Sequence, residues 1–141
     1  MRRYLVVANQ TLAGASLLSM LHDLAGRGPC TFHVVVPATP PKRHNWTEGE
    51  ARRTARARLD AATSRLAAEG IVASGEVGDE RPVEAVQDIL LRGEAFDAIV
   101  VSTLPPKVSR WLKRDLVRRL EAVTGLRVIH VVGVPTPAPI G

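Results

Sequence analysis

The chain is poor in several things that would narrow its function quickly. It has one cysteine, Cys30, so no internal disulfide can form, which fits a reducing compartment. Aromatic residues make up 4% of the sequence, few for a surface that stacks nucleic-acid bases. The apolar run near the start breaks at Asn9-Gln10-Thr11, too soon for the core of a secretory signal. No apolar run approaches the roughly 20 residues of a membrane helix. These absences lead us to expect a soluble, cytoplasmic protein with no membrane partner. Glycine is missing altogether between Gly93 and Gly125, the region in which many α/β proteins carry a phosphate loop.

What is present fits one globular domain. The 141 residues are 45% hydrophobic and 23% charged, ordinary values for a chain with a full core. We expect the domain to span 1–133, followed by a loose proline-rich tail over 134–141. The net charge is +5, and its placement is uneven. Residues 107–119 hold six basic side chains against Asp115, while the rest of the chain carries thirteen of each sign. The whole excess therefore sits in one segment.

Five short apolar runs, 4–8, 31–36, 71–77, 97–102 and 127–132, read as strands. Four are nearly continuous in apolar residues, as strands of a parallel sheet covered on both faces are. The third is more mixed, as an edge strand can be. Helical patterns fill the gaps. The first has an apolar face of Leu17, Leu18, Leu21, Leu24 and Ala25. The second starts at a Thr47/Glu50 capping box and buries Ala51, Ala55, Leu59, Ala62 and Leu66. Its arginines are mostly answered by acids four residues away, in Glu48–Arg52, Arg56–Asp60 and Arg65–Glu69. The third begins near Pro82 and carries Val83, Val86, Ile89 and Leu90. The fourth buries Leu112, Leu116, Leu120 and Val123 and ends at Gly125. Such alternation implies an α/β fold with a five-stranded parallel sheet, doubly wound by right-handed crossovers.

Here the chain resembles the universal stress protein family over about residues 3–132. "YLVVANQT" resembles the family's first strand and turn, and "FHVVVP" its second strand. "GEVGDERPVEAVQDILLRGEAFDAIVVS" is the most specific part, similar to the family's "G-D-P…I…A-D-L-I-V-V-G" run in order and spacing. The resemblance implies the strand order 3-2-1-4-5, a nucleotide crevice and a homodimer through the fifth strand. Two departures fall on the ATP-binding positions. Asn9 stands where the family usually has aspartate, and Pro105-Pro106 stand where glycines would let phosphate approach the backbone.

In an open α/β sheet, ligands bind beyond the carboxyl ends of the strands where the strand order reverses. The expected walls are Asn9, Gln10 and Thr11 on one side and Ser102, Thr103 and Leu104 on the other. Lys107, Ser109, Arg110 and Arg114 surround the start of the fourth helix, whose end attracts anions. The expected ligand is therefore a small anion, either phosphate or a nucleotide in a non-standard mode, with weak binding of ATP. The bland alternative is a solvated basic face. The segment 37–46, with Lys42, Arg43, His44 and Trp46, reads as a proline-stiffened connection, with a lid as the alternative. Trp111, beside Leu112, reads as core packing.

Catalysis finds little support. His33 and His130 lie inside strand runs three strand spacings apart, too far to share a metal, and read as satisfied core histidines. Cys30 reads as a packed or idle thiol. Asn9-Gln10 in place of an acidic pair excludes a response-regulator phosphoacceptor, and Asp79 and Glu80 read as the charge at the start of the third helix. We therefore expect a non-catalytic regulatory protein. The alternatives are nucleic-acid binding through the basic face of 107–119 and, on fold analogy alone, an enzyme of phosphorylated substrates.

Overall fold

A computed structural model describes residues 1–40, 47–105 and 113–133, with the side chains of Lys113 and Arg114 left out. The expected tail at 134–141, the loop residues 41–46 and the junction residues 106–112 lie outside the described residues. The elements alternate as β1 (Arg2–Val7), α1 (Ala15–Gly26), β2 (Cys30–Pro37), α2 (Glu48–Ala68), β3 (Ala73–Gly78), α3 (Pro82–Leu91), β4 (Ala98–Thr103), α4 (Lys113–Thr124) and β5 (Arg127–Val132). The sheet is parallel throughout, in the order β3-β2-β1-β4-β5.

The central strands β1, β2 and β4 are buried on both faces, which explains their continuous apolar runs. Even-numbered residues of these strands, including Tyr4, Val6, Phe32, Val34 and Val100, pack under α1 and α2. Odd-numbered ones, including Leu5, Val7, Val35, Ile99 and Val101, pack under α3 and α4. The helices thus split two and two across the sheet, as right-handed crossovers require when the order turns back after β3.

Most strand ends shift by a residue or two from the expected runs, and two departures have a clear physical cause. The third strand begins at Ala73 rather than 71. Gly70 takes φ +81°, and the Ile71 N–H donates to the Leu66 carbonyl at 2.9 Å, so Ile71 closes α2 instead of opening β3. Val123 was expected in the core, yet it is 45% exposed while Leu120 is fully buried. Val123 lies three residues on from Leu120, at the edge of the apolar stripe where α4 ends.

α2 sits close on β3 because Gly75 has no side chain. A Cβ there would lie 2.4 Å from Leu59 Cδ1 and 2.9 Å from the Val34 carbonyl oxygen. The Thr47 hydroxyl accepts the Glu50 N–H at 3.1 Å, as the capping signature implied. All three expected ion pairs of α2 form: Glu48–Arg52, Arg56–Asp60 and Arg65–Glu69, at 3.7, 4.0 and 3.3 Å.

Candidate functional site

β1 and β4 are neighbours, but the chain leaves them in opposite directions, to α1 on one face and α4 on the other. In open α/β sheets a ligand crevice lies beyond the carboxyl ends of two such strands. Asn9, Thr11, Ser102 and Thr103 all lie at the carboxyl ends of β1 and β4, and they are the buried polar residues among the described ones. Gln10 is exposed. Lys107, Ser109 and Arg110 lie outside the described residues, as does the Arg114 side chain.

Each buried group is satisfied by protein. The hydroxyls of Thr11 and Ser102 share a hydrogen bond of 2.5 Å across the strand-order reversal. Ser102 and Thr103 are successive strand residues, so their side chains take opposite faces. The Thr103 hydroxyl accordingly meets Nε2 of His130 on β5, at 2.8 Å. The Gly133 N–H donates to the Thr103 carbonyl at 2.8 Å and lengthens the β4–β5 ladder. A Cβ at Gly133 would meet Thr11 Cβ and Cγ2 at 3.0 Å, so the close approach of these two segments needs a glycine. The end of β4 is thus tied to the turn after β1 on one face and to β5 on the other.

Asn9 is held differently. Its Nδ2 donates to the Pro37 carbonyl at 2.7 Å, bridging the ends of β1 and β2. Its Oδ1 accepts from Nη1 of Arg58 on α2 at 2.5 Å. Because the Pro37 oxygen can only accept, the amide has one workable orientation, with its own oxygen toward Arg58. Burial pushes the Arg58 pKa down. Sequence reasoning missed Arg58, although a signal was present. Of the five arginines in α2, it alone has no acid three or four residues away, its neighbours there being Thr54, Ala55, Ala61 and Ala62.

A second polar cluster lies toward the other edge of the sheet. His33 Nδ1 meets Ser74 Oγ at 2.7 Å and its Nε2 meets Glu76 Oε1 at 3.2 Å. This resembles a nucleophile–base–acid line, but the acid is committed elsewhere. Arg92 binds both oxygens of Glu76, at 2.9 and 2.5 Å, and holds its carboxyl below the usual range. The cluster satisfies a partly buried histidine and braces β3 against α3. Cys30 is partly buried, and burial pushes its thiol pKa up, away from reactive thiolate. Among the described residues no group of three or more His, Cys, Asp or Glu is placed to hold a metal, and no helix is long and apolar enough to cross a membrane.

The architecture is that of universal stress proteins. A universal stress protein from Archaeoglobus fulgidus superposes with TM-score 0.61 at 16% identity, covering 93% of each chain. A protein of the universal stress family from Burkholderia pseudomallei gives 0.64 at 18% identity, over 95% of this chain and 96% of that one. A universal stress protein solved in complex with cAMP gives 0.58 at 16% identity, over 92% and 96%. No family model matches the sequence, and no curated protein matches it either. The likeness therefore lies in the fold.

Proposed function

We propose that this is a non-catalytic, stress-related cytoplasmic protein whose crevice takes a small anionic ligand, either inorganic phosphate or a nucleotide. The observation that carries the reading is the gathering of Asn9, Thr11, Ser102 and Thr103 where the strand order reverses, the position at which open α/β sheets bind ligands. The cAMP complex of a protein with the same fold supports it. Lys107, Ser109, Arg110 and Arg114 would flank the ligand, and Gln10 would lie at the rim. ATP should bind poorly, because Pro105-Pro106 remove amides and no glycine occurs between Gly93 and Gly125.

The test is calorimetric titration of the full chain with phosphate, cAMP and magnesium-ATP, repeated on Arg110→Ala/Arg114→Ala. Phosphate or cAMP should bind, with affinity that falls as salt rises and weakens in the double variant. Two results would overturn the reading: no binding of either anion, or tight magnesium-dependent ATP binding that survives the double replacement. A second reading, nucleic-acid binding, draws on Arg118 and Arg119, which are exposed on α4. It requires affinity for duplex DNA that drops steeply with salt.

We also propose a homodimer through β5. This strand lies at the end of the sheet order and, among the described residues, pairs with β4 alone. Val132 on it is 38% exposed, and an apolar edge strand invites pairing.

A further inference from the structure

Arg58 differs from the other arginines of its helix. Arg52, Arg56 and Arg65 hold carboxylates at the surface. Arg58 is partly buried and, among the described residues, makes a single hydrogen bond, to the neutral Oδ1 of Asn9. A guanidinium carries five N–H donors; among the described residues most of them have no protein partner, and since no buried side-chain nitrogen is unpaired they are open to solvent and to a ligand. A half-buried cation is partly desolvated, and a neutral partner offsets that less than an anion does. An anion would supply the missing partner.

Asn9 is suited to leave that role to an anion. Its amide is clamped by the Pro37 carbonyl, which fixes the oxygen that Arg58 sees. A carboxylate at this position could not donate to Pro37 and would neutralise Arg58. The amide orients the guanidinium and leaves its charge available. Asn9 stands where β1 leaves the sheet, and Arg58 is hydrogen-bonded to it, so the cation borders the place where the ligand is proposed to sit.

We infer that Arg58 is the anion anchor of the crevice: its guanidinium binds the phosphate of the ligand, and Asn9 is its positioning residue. This rests on the proposal that the crevice takes a small anion and adds where the negative charge lies. It lies on the α1/α2 face of the sheet, reached from α2.

The experiment titrates inorganic phosphate and cAMP into the full chain, then into Arg58→Gln, Arg58→Lys and Asn9→Asp, with circular dichroism confirming the fold of each. Arg58→Gln should weaken phosphate binding about tenfold to hundredfold, the range for losing a charge-assisted hydrogen bond. Arg58→Lys should retain part of the affinity. Asn9→Asp should weaken binding at neutral pH although the arginine is intact. Sulfate supplies the readout that a merely structural role would not move. Its charge is constant over the working range, so its affinity for Asn9→Asp should recover as pH falls and the new carboxyl becomes a neutral donor like the amide. The two phosphate sources are told apart by competition: cAMP displaces phosphate if both use Arg58.

If unmodified protein binds phosphate and Arg58→Gln keeps that affinity within about twofold, the inference fails while the proposed function stands. If unmodified protein binds neither anion, the proposed function fails and this inference with it. Should Arg58→Gln not fold, Asn9→Asp decides alone: unchanged phosphate affinity in a folded variant overturns the anchor.

Discussion

Replacing Gly75 with alanine should destabilise the protein although alanine suits a strand better than glycine. The backbone at Gly75 has no positive φ, so the substitution alone would gain about 0.4–1 kcal/mol by restricting the unfolded chain. Against this stands the new methyl, 2.4 Å from Leu59 Cδ1 and 2.9 Å from the Val34 carbonyl oxygen. The clashing Leu59 atom is a side-chain tip, but the residue is only 2% exposed, in the cluster under α2, so moving it disturbs packed neighbours. The Val34 oxygen is backbone in a central strand. Overpacking of this kind costs about 1–3 kcal/mol, so the net loss should be about 0.5–2 kcal/mol. With an unfolding entropy of about 2.1 cal/mol/K per residue, 1 kcal/mol corresponds to about 3 °C in Tm for this length. Urea denaturation and calorimetry of Gly75→Ala, Leu59→Ala and the double variant form the assay. Leu59→Ala alone should cost about 2–5 kcal/mol. In the double variant the added methyl occupies part of the cavity, so it should be more stable than the sum of the singles by about 1 kcal/mol, a coupling expected for residues in contact. A neutral or stabilising Gly75→Ala, or costs that add, would refute the account of how α2 seats on β3.

Three further outcomes are expected. Asn9→Ala deletes hydrogen bonds to Pro37 and Arg58 and should lower stability by about 2–4 kcal/mol, read from urea midpoints; no loss would mean that the clamp is idle. Glu76, whose carboxyl is held below its ordinary value near 4.5 by Arg92 and His33, contributes stability that is complete above that value. The contribution is lost as pH falls through the lower folded-state value, so the urea midpoint of the unmodified protein should drop more steeply in that acid range than that of Glu76→Gln. Light scattering should give a dimer that Val132→Lys dissociates; a monomer at high micromolar concentration would count against pairing through β5.

The fold was legible because its signals are local. Four continuous apolar runs separated by periodic helices leave little choice but a covered parallel sheet, and the ion pairs of α2 follow from four-residue spacing. Boundaries were less so, because the apolar Ile71 serves equally as a strand residue or a helix closure, and Gly70 decides between them. At the carboxyl ends of β1 and β4 the polar residues were legible, but their partners were not. Thr11 and Ser102 are 91 residues apart, and nothing in either neighbourhood shows that each satisfies the other. For Arg58 the sequence displays the missing acid but not where the side chain turns instead. That direction depends on how closely α2 lies on β3, and so on Gly75, 17 residues further along the chain.

The satisfied polar groups at the ends of β1 and β4 have a consequence for timing. Among the described residues, no buried side-chain nitrogen or oxygen lacks a partner, and the hydroxyls of Thr11, Ser102 and Thr103 answer one another or His130. Folding then does not wait on a guest molecule to complete these bonds. A protein built this way can be synthesised, fold and persist before the proposed ligand is abundant. Occupancy would then be free to rise and fall with ligand concentration, as in a gauge rather than a carrier of a permanently held group.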